Sequence, residues 1–436
     1  MGNKVVMRKR GCLAELDYGA GLRGNPYAIL PPSMAPQSPS LTAIDLFSGA
    51  GGISLGLANA GFRVVLASDY SEACASTHRL NMPDVPFVTA DVADLSITEI
   101  LHTSGLRRGE LDLLIGGPPC QGFSILGARQ HDDPRNGLIG QFFRIAEGLR
   151  PKVLVIENVP GLATLNGGAY LHEIGAEFRR LGYHSSCAEL LAAQYGAPQM
   201  RWRMFFVGVR DDANVCMPSF PAVTHGRRGI GELVPNRTIS PQDMEGFLSA
   251  RDAIADLPTV GSGQENAIYD KEPSSSFQVA MRQGSTRLHN HYAARMAPIN
   301  LARFKHLRPG QDWRNLPHDL LPPGMQRALR KDHTRRFRRM TWDGVPRSVI
   351  TRFRDPKSGE YIHPEQDRTI TIREAARLQA FPDWFVFEGS ITSQYEQVGN
   401  AVPTLLAKAM ATEVRKALQG GSASVTYQSR YMMPAA

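Results

Sequence analysis

The sequence predicts an α/β fold, and three observations carry that prediction. Short apolar runs that read as buried strands recur at 43–47, 63–67, 87–89, 111–115, 152–156 and 204–209, with helix-period segments at 53–60, 141–149 and up to 181. A glycine-rich turn, Ser48-Gly49-Ala50-Gly51-Gly52, follows the first run directly. Polar or reactive residues (Asp69, Asp91, Cys120, Glu157) stand just past strand ends, the edge at which open α/β sheets bind ligands.

The 436 residues are enough for two or three domains and a sizeable core. Apolar residues make up 42% and charged residues 21%, an ordinary soluble composition. No run approaches the roughly 18 apolar residues of a membrane helix. The basic start, Met1 to Arg10, lacks an apolar stretch behind it and so does not read as a secretory signal. Five scattered cysteines without a CxxC pair argue against a disulfide framework or a zinc site and fit a reducing cytoplasm. The net charge of +8 suggests a polyanionic partner.

Residues 1–40, rich in Gly, Pro and Ser, read as a flexible, solvated arm. The strand, glycine turn and helix that follow form a nucleotide-binding opening. Glycines permit a tight turn and close approach, and free N–H groups at the helix start face the ligand. Asp69, about 20 residues on, can accept hydrogen bonds from ribose hydroxyls, and Asp91 from an adenine amino group. A helix N-cap is the plain alternative for each. These residues indicate adenosine without separating a nicotinamide dinucleotide from S-adenosylmethionine.

The fourth strand leads into Gly116-Gly117-Pro118-Pro119-Cys120-Gln121-Gly122-Phe123-Ser124. The prolines fix φ and the glycines admit another molecule, so a thiol is presented at the ligand edge. The polar segment from Ser124 to Gly137 is long for a βα loop and reads as a lid. Glu157-Asn158-Val159 ends the fifth strand at the same edge. Arg201 and Arg203 lie two apart and share one face of an extended chain. From Arg282 to Arg339 basic residues dominate, and the acids are Asp312, Asp319 and Asp332, a density suited to phosphate and base-edge contacts. His289-Asn290-His291 spells the name of a nuclease motif whose residues are spread over a ββα-metal unit, so the adjacent letters read as coincidence.

In this order, DLFSGAGG (45–52), Asp69, GGPPCQGFS (116–124), ENV (157–159), QMRWR (199–203), RTITIREAARLQAFPD (368–383) and QVGNAVP (397–403) resemble the DNA (cytosine-5) methyltransferase family, prokaryotic type. The resemblance runs from 43 to about 418, apart from the insert. It implies a Rossmann-like S-adenosylmethionine-dependent methyltransferase sheet with a smaller target-recognition domain inserted toward the C-terminus. The implied division is 41–223 catalytic, 224–345 target recognition, 346–418 return and 419–436 tail. The implied chemistry is covalent: Cys120 adds to C6 of a cytosine swung out of duplex DNA, and C5 then takes the methyl group. Glu157 would hydrogen-bond N3 and Arg203 would contact O2, with Arg201 its neighbour in the motif. The implied cofactor residues are Phe47, Ser48, Gly49, Gly51, Gly52, Asp69, Tyr70, Asp91, Val92, Pro119, Gln121, Asn400 and Val402. Ser124, Arg135, Arg335, Arg336, Arg338 and Arg339 are the expected DNA contacts.

No metal is implied. A monomer in a prokaryotic cytoplasm, associated with the nucleoid and working beside a separately acting restriction endonuclease, is the expected setting. A catalytically silent DNA-binding relative, a tRNA cytosine-5 methyltransferase and a nicotinamide-dependent oxidoreductase are the alternatives. The oxidoreductase gives no reason for PPCQ, ENV and a basic insert to coexist.

Overall fold

The computed structural model describes residues 25–33, 41–119, 137–226, 244–327 and 336–421. Its main sheet comprises β1 (Thr42–Leu46), β2 (Arg63–Asp69), β3 (Phe87–Thr89), β4 (Leu113–Gly116), β5 (Val153–Asn158), β6 (Tyr183–Leu191) and β7 (Trp202–Arg210), in the order β3-β2-β1-β4-β5-β7-β6. The first five strands run parallel, and β7 lies antiparallel between β5 and β6. The strand order reverses between β1 and β4, which places the ligand crevice outside their C-terminal ends.

The early helices are α1 (Gly52–Asn59), α2 (Glu72–Asn81), α3 (Ile97–Ser104), α4 (Leu138–Leu149) and α5 (Ala169–Arg180). The insert region holds β8 (His225–Gly226), β9 (Glu245–Gly246), α6 (Ala250–Ile254), α7 (Ser276–Arg282), α8 (Pro298–His306) and α9 (Pro323–Arg327). The chain returns through α10 (Ile372–Leu378), α11 (Ile391–Asn400) and α12 (Thr404–Leu418).

Alternation along the strands divides the core. Ala43, Leu113, Ile115, Val153 and Val155 point into one apolar cluster; Ile44, Leu114, Leu154 and Ile156 point into the other. Strands buried on both faces therefore read as continuous apolar runs. Helix α1 is buried along its whole length. Its Gly56 lets α12 approach, since a Cβ there would stand 2.5 Å from Ala407 Cβ. The structure adds β6, which sequence reading missed. It is an edge strand carrying His184, Ser185, Ser186 and Glu189, so it shows no apolar run.

One expectation is revised. Residues 25–33 have no regular structure but are not solvated: Tyr27 and Ile29 are buried in the first core cluster. Tyr27 donates to Glu245 at 2.6 Å, and Lys408 donates to the Ala28 carbonyl at 2.9 Å. Within 224–345 one apolar cluster stands apart from the two larger ones. Met296, Phe304, Leu307, Trp313, Leu316, Leu321, Met325 and Phe337 form it, together with Ile362. Ala250, Ile254, Leu257, Phe277 and Met281 instead belong to the first core. There Arg377 of α10, fully buried, is held between Asp256 and Asp383. Arg377 also donates to the Ala253 carbonyl at 3.0 Å, which joins α6 to the return segment.

Candidate active site

The crevice forms where β4 and β5 end side by side, with Gly116 opposite Ile156. Glu157 follows on β5. The antiparallel partner β7 brings Arg203 beside it, with Arg203 Nε 2.6 Å from Glu157 Oε1. Oε1 has no aligned hydrogen-bond donor, so the contact is an ion pair. Both side chains are nearly sequestered, at 12% and 9% exposure. Burial pushes the Glu157 pKa above the ordinary carboxylate value, against the opposing pull of Arg203 and then Arg201. The carboxyl lies over Gly117, where a Cβ would stand 2.9 Å from Oε2, so a side chain there would push the carboxyl from its present place. Asn158 donates to the Pro118 carbonyl at 2.9 Å and fixes the Pro118-Pro119 approach. Sequence reading had not singled out Asn158 for a role. Cys120, Gln121, Ser124, Arg135 and the lid lie outside the described residues, as does Arg335.

Arg201 occupies a different place from Arg203. Only 1% exposed, it donates to the carbonyls of Val349 and of Gly399 (3.0 Å) and Asn400 (3.4 Å), and to Ser348 Oγ at 3.3 Å. Its guanidinium ties the return segment to the QVGN stretch. These contacts suit Arg201, named with Cys120, Glu157 and Arg203 as a catalytic candidate by the resemblance, to holding those segments in place. Gln199 acts alongside it, donating to Gln379 Oε1 at 2.7 Å, while Gln379 donates to the Val398 carbonyl at 2.7 Å.

The glycine turn stands at the end of β1. Gly49 (φ 53°) and Gly51 (φ 100°) take left-handed backbone that a side chain would strain, and Phe47 shares that region at φ 57°. Asp69 does not cap α2; Ser71 does. Its carboxylate instead accepts from Gly49 N and Ser71 N, each at 2.9 Å, and so pins the turn to the end of β2. Ser48 N donates to the Ser68 carbonyl at 2.9 Å. Tyr70 beside it is 79% exposed. Asp91 accepts from Ala93 N at 2.9 Å, and Arg144 of α4 holds the Val92 carbonyl at 2.9 Å. From the far end of the chain the Val402 backbone lies over Gly52, with its oxygen 2.6 Å from where a Cβ would stand. Thus Phe47–Gly52, Asp69, Tyr70 and Val402 meet at one edge of the crevice.

The expected DNA contacts separate. Arg336 and Arg338 are half-buried, and Arg338 pairs with Asp312 (3.6 Å) and Glu360 (3.2 Å). Arg339 is withdrawn from the surface at 3% exposure. It donates to the carbonyls of His363, Gln366 and Phe304 and pairs with Asp367 at 2.6 Å, leaving it no reach to a phosphate. His291 is likewise structural: its ring nitrogens meet Thr371 Oγ1 and the Pro258 carbonyl. Among the described residues no three His, Cys, Asp or Glu side chains gather as a metal site. No helix among them is long and apolar enough to cross a membrane.

A doubly wound sheet with an adenosine-type turn, a buried Glu–Arg pair at the neighbouring strand end and a late insert defines an S-adenosylmethionine-type α/β methyltransferase fold. The chain belongs to the C-5 cytosine-specific DNA methylase family, whose model matches residues 41–416. It is 33% identical to the Type II methyltransferase M.AgeI of Thalassovita gelatinovora, over 87% of this chain and 100% of that one. It is 35% identical to M1.HphI of Haemophilus parahaemolyticus, over 86% of this chain and 87% of that protein. A crystal structure described as a DNA modification methyltransferase encoded within an E. coli prophage is 27% identical, with a TM-score of 0.65 over 87% of this chain and 100% of that one. The Spodoptera frugiperda DNMT2 structure shares the fold, at 14% identity and a TM-score of 0.55 over 86% of this chain and 100% of that one. Membership of the family makes the protein a DNA (cytosine-5)-methyltransferase.

Proposed function

We propose that the enzyme methylates C5 of a cytosine turned out of a specific duplex DNA site, through a transient bond between Cys120 and C6. The observation that carries this reading is the buried Glu157–Arg203 pair set over Gly117 at the foot of the PPCQ stretch. Cytosine C5 is too weak a nucleophile to react directly, and addition at C6 divides the step. The Cys120 thiolate forms the S–C6 bond, and the C5=C6 electron pair is drawn toward N3 and O2. Glu157, favoured in its protonated form by burial, donates to N3 as charge gathers there. Arg203 balances the charge at O2. C5 then takes the methyl group, a base removes the C5 proton, and the thiolate leaves.

The residues fit S-adenosylmethionine as donor. Space stands open where a Gly49 Cβ would be, Asp69 is fixed at the end of β2, and Tyr70 offers an exposed ring beside it. When bound, the cofactor supplies an electrophilic methyl group. Target recognition falls to the separate small core of the insert and its arginine-rich surroundings. These two relatives are named Type II methyltransferases, and by that likeness the methylated site would be one that a cognate endonuclease cuts. Bisulfite sequencing of DNA from cells expressing the chain tests activity and reports the site together. Unmodified DNA, with methylated tRNA in the same cells, would overturn the DNA reading.

A further inference from the structure

A buried chain of three polar side chains lies beneath the glycine turn, apart from the residues assigned above. Asp45, on β1, is wholly buried between apolar register partners, Ala67 and Ile115. Its Oδ2 accepts the Ser54 hydroxyl at 2.6 Å, while Oδ1 is buried without a hydrogen-bond partner. Ser54 Oγ lies 3.3 Å from Nε2 of His78 on α2. His78 is also wholly buried, and its Nδ1 has no partner. The imidazole packs on Phe87 with ring centroids 4.8 Å apart and backs directly onto the turn, since a Cβ on Gly51 would stand 2.9 Å from its Cδ2. The preceding residue, Thr77, donates to Gln397 Oε1 at 2.7 Å, so α2 supports both the glycine turn and the QVGN stretch.

Unpartnered buried polar atoms destabilise a fold, and they gather where function keeps them. The proton count shows what this pair can do. With Asp45 ionised, Ser54 donates to the carboxylate and its oxygen accepts from His78 Nε2–H. When Asp45 takes up one proton the chain reverses. Oδ2–H donates to Ser54, the hydroxyl turns to Nε2, and the imidazole carries its proton on Nδ1. One proton enters from solvent, and only Asp45 changes charge. The charged groups facing the chain are Asp69 at the end of β2 and Arg79 on α2. Burial, with Asp69 adding, pushes the Asp45 carboxyl up to about 7 despite the Ser54 hydrogen bonds. Burial, with Arg79 adding, lowers the His78 imidazole to about 3, so it stays neutral in both states.

We propose that Asp45, Ser54 and His78 are positioning residues for the cofactor turn, and that they hold Gly51 and the start of α1 in the receiving shape only while Asp45 is ionised. This rests on the reading that the turn takes S-adenosylmethionine. The test is calorimetric titration of the full chain with S-adenosylhomocysteine at pH 6 and pH 8.5, for wild type, Asp45→Asn and Ser54→Ala, with thermal melts alongside. Wild type is expected to bind about 10-fold more weakly at pH 6. Asp45→Asn is expected to bind weakly at both pH values, while melting no lower than wild type at pH 8.5 because no charge is buried. Ser54→Ala, which keeps the carboxylate but cuts the chain, is expected to lose affinity at pH 8.5 as well. Wild-type affinity in Ser54→Ala, or an unaltered pH dependence in Asp45→Asn, overturns the proposal. A wild type that binds no S-adenosylhomocysteine at either pH removes the cofactor reading itself, and the proposal with it.

Discussion

Arg203 Nε stands 2.6 Å from Glu157 Oε1, in a site where both side chains are almost wholly removed from water. Burial favours the neutral carboxyl and the guanidinium favours the charged one, and the balance raises the carboxyl pKa above its ordinary value. In the proposed mechanism this pair sets a carboxyl of raised pKa and a fixed positive charge side by side at one edge of the base.

Replacing Glu157 by Gln is expected to lower kcat about 100- to 1000-fold, the usual cost of removing one donor aimed at developing charge. In the wild type the raised carboxyl pKa means that the folded state binds more protons than the unfolded one above the ordinary Glu value. The protonated form is present below the raised pKa and is lost as pH climbs through it, so activity should decline on that limb. Single-turnover rates against pH check both points. The Gln variant should lack this alkaline limb.

Arg201→Ala and Arg203→Ala should fail differently. Loss of Arg201 leaves the Val349 and Gly399 carbonyls buried without their donor, at a cost of about 3 kcal/mol in stability. It should raise KM for the cofactor through the loosened Asn400 segment. Loss of Arg203 should lower kcat with cofactor affinity unchanged. Steady-state kinetics with both substrates varied, together with urea unfolding, separate the two.

Arg339→Ala should destabilise the protein by about 3 kcal/mol, because three carbonyls and Asp367 lose their partner. DNA affinity should keep its salt dependence. A phosphate contact would instead reduce the slope of log K against log salt by about 1. Filter binding across a salt series distinguishes the outcomes.

Arg377→Met should cost about 3 kcal/mol, because Asp256 is left with Arg282 at 3.9 Å and Asp383 with Arg373 at 3.8 Å and the Tyr269 hydroxyl, in place of the close pairs with Arg377. Adding Asp256→Asn and Asp383→Asn to it should restore much of that loss, as measured by chemical denaturation.

How much of this was legible in the sequence follows from burial. Strands β1 to β5, sandwiched between helices, left apolar runs with polar residues at their ends, and Glu157 and Asp69 were placed from those ends. Strand β6 was not legible, because an edge strand keeps polar side chains on one face. The arginines misled for a physical reason. A guanidinium carries five donors and suits buried loop carbonyls as well as phosphates. Arg201, Arg339 and Arg377 satisfy backbone or carboxylates inside the fold, and composition alone does not distinguish that use. The contact between Glu157 and Arg203 depends on the β5–β7 register, in which Glu157 faces Phe205, and only the sheet shows it. Tyr27 looked solvated because its partners, His225 and Glu245, arrive from a distant part of the chain.

The central claim is the covalent bond between Cys120 and the target base. DNA carrying 5-fluorocytosine at the methylated position, incubated with the enzyme and S-adenosylmethionine, tests it most directly, because fluorine at C5 blocks proton removal and so blocks release. The expected result is a denaturation-resistant protein–DNA complex, formed by the wild type and absent with Cys120→Ser. An equal yield of that complex from Cys120→Ser, or none from an active wild type, would contradict the account.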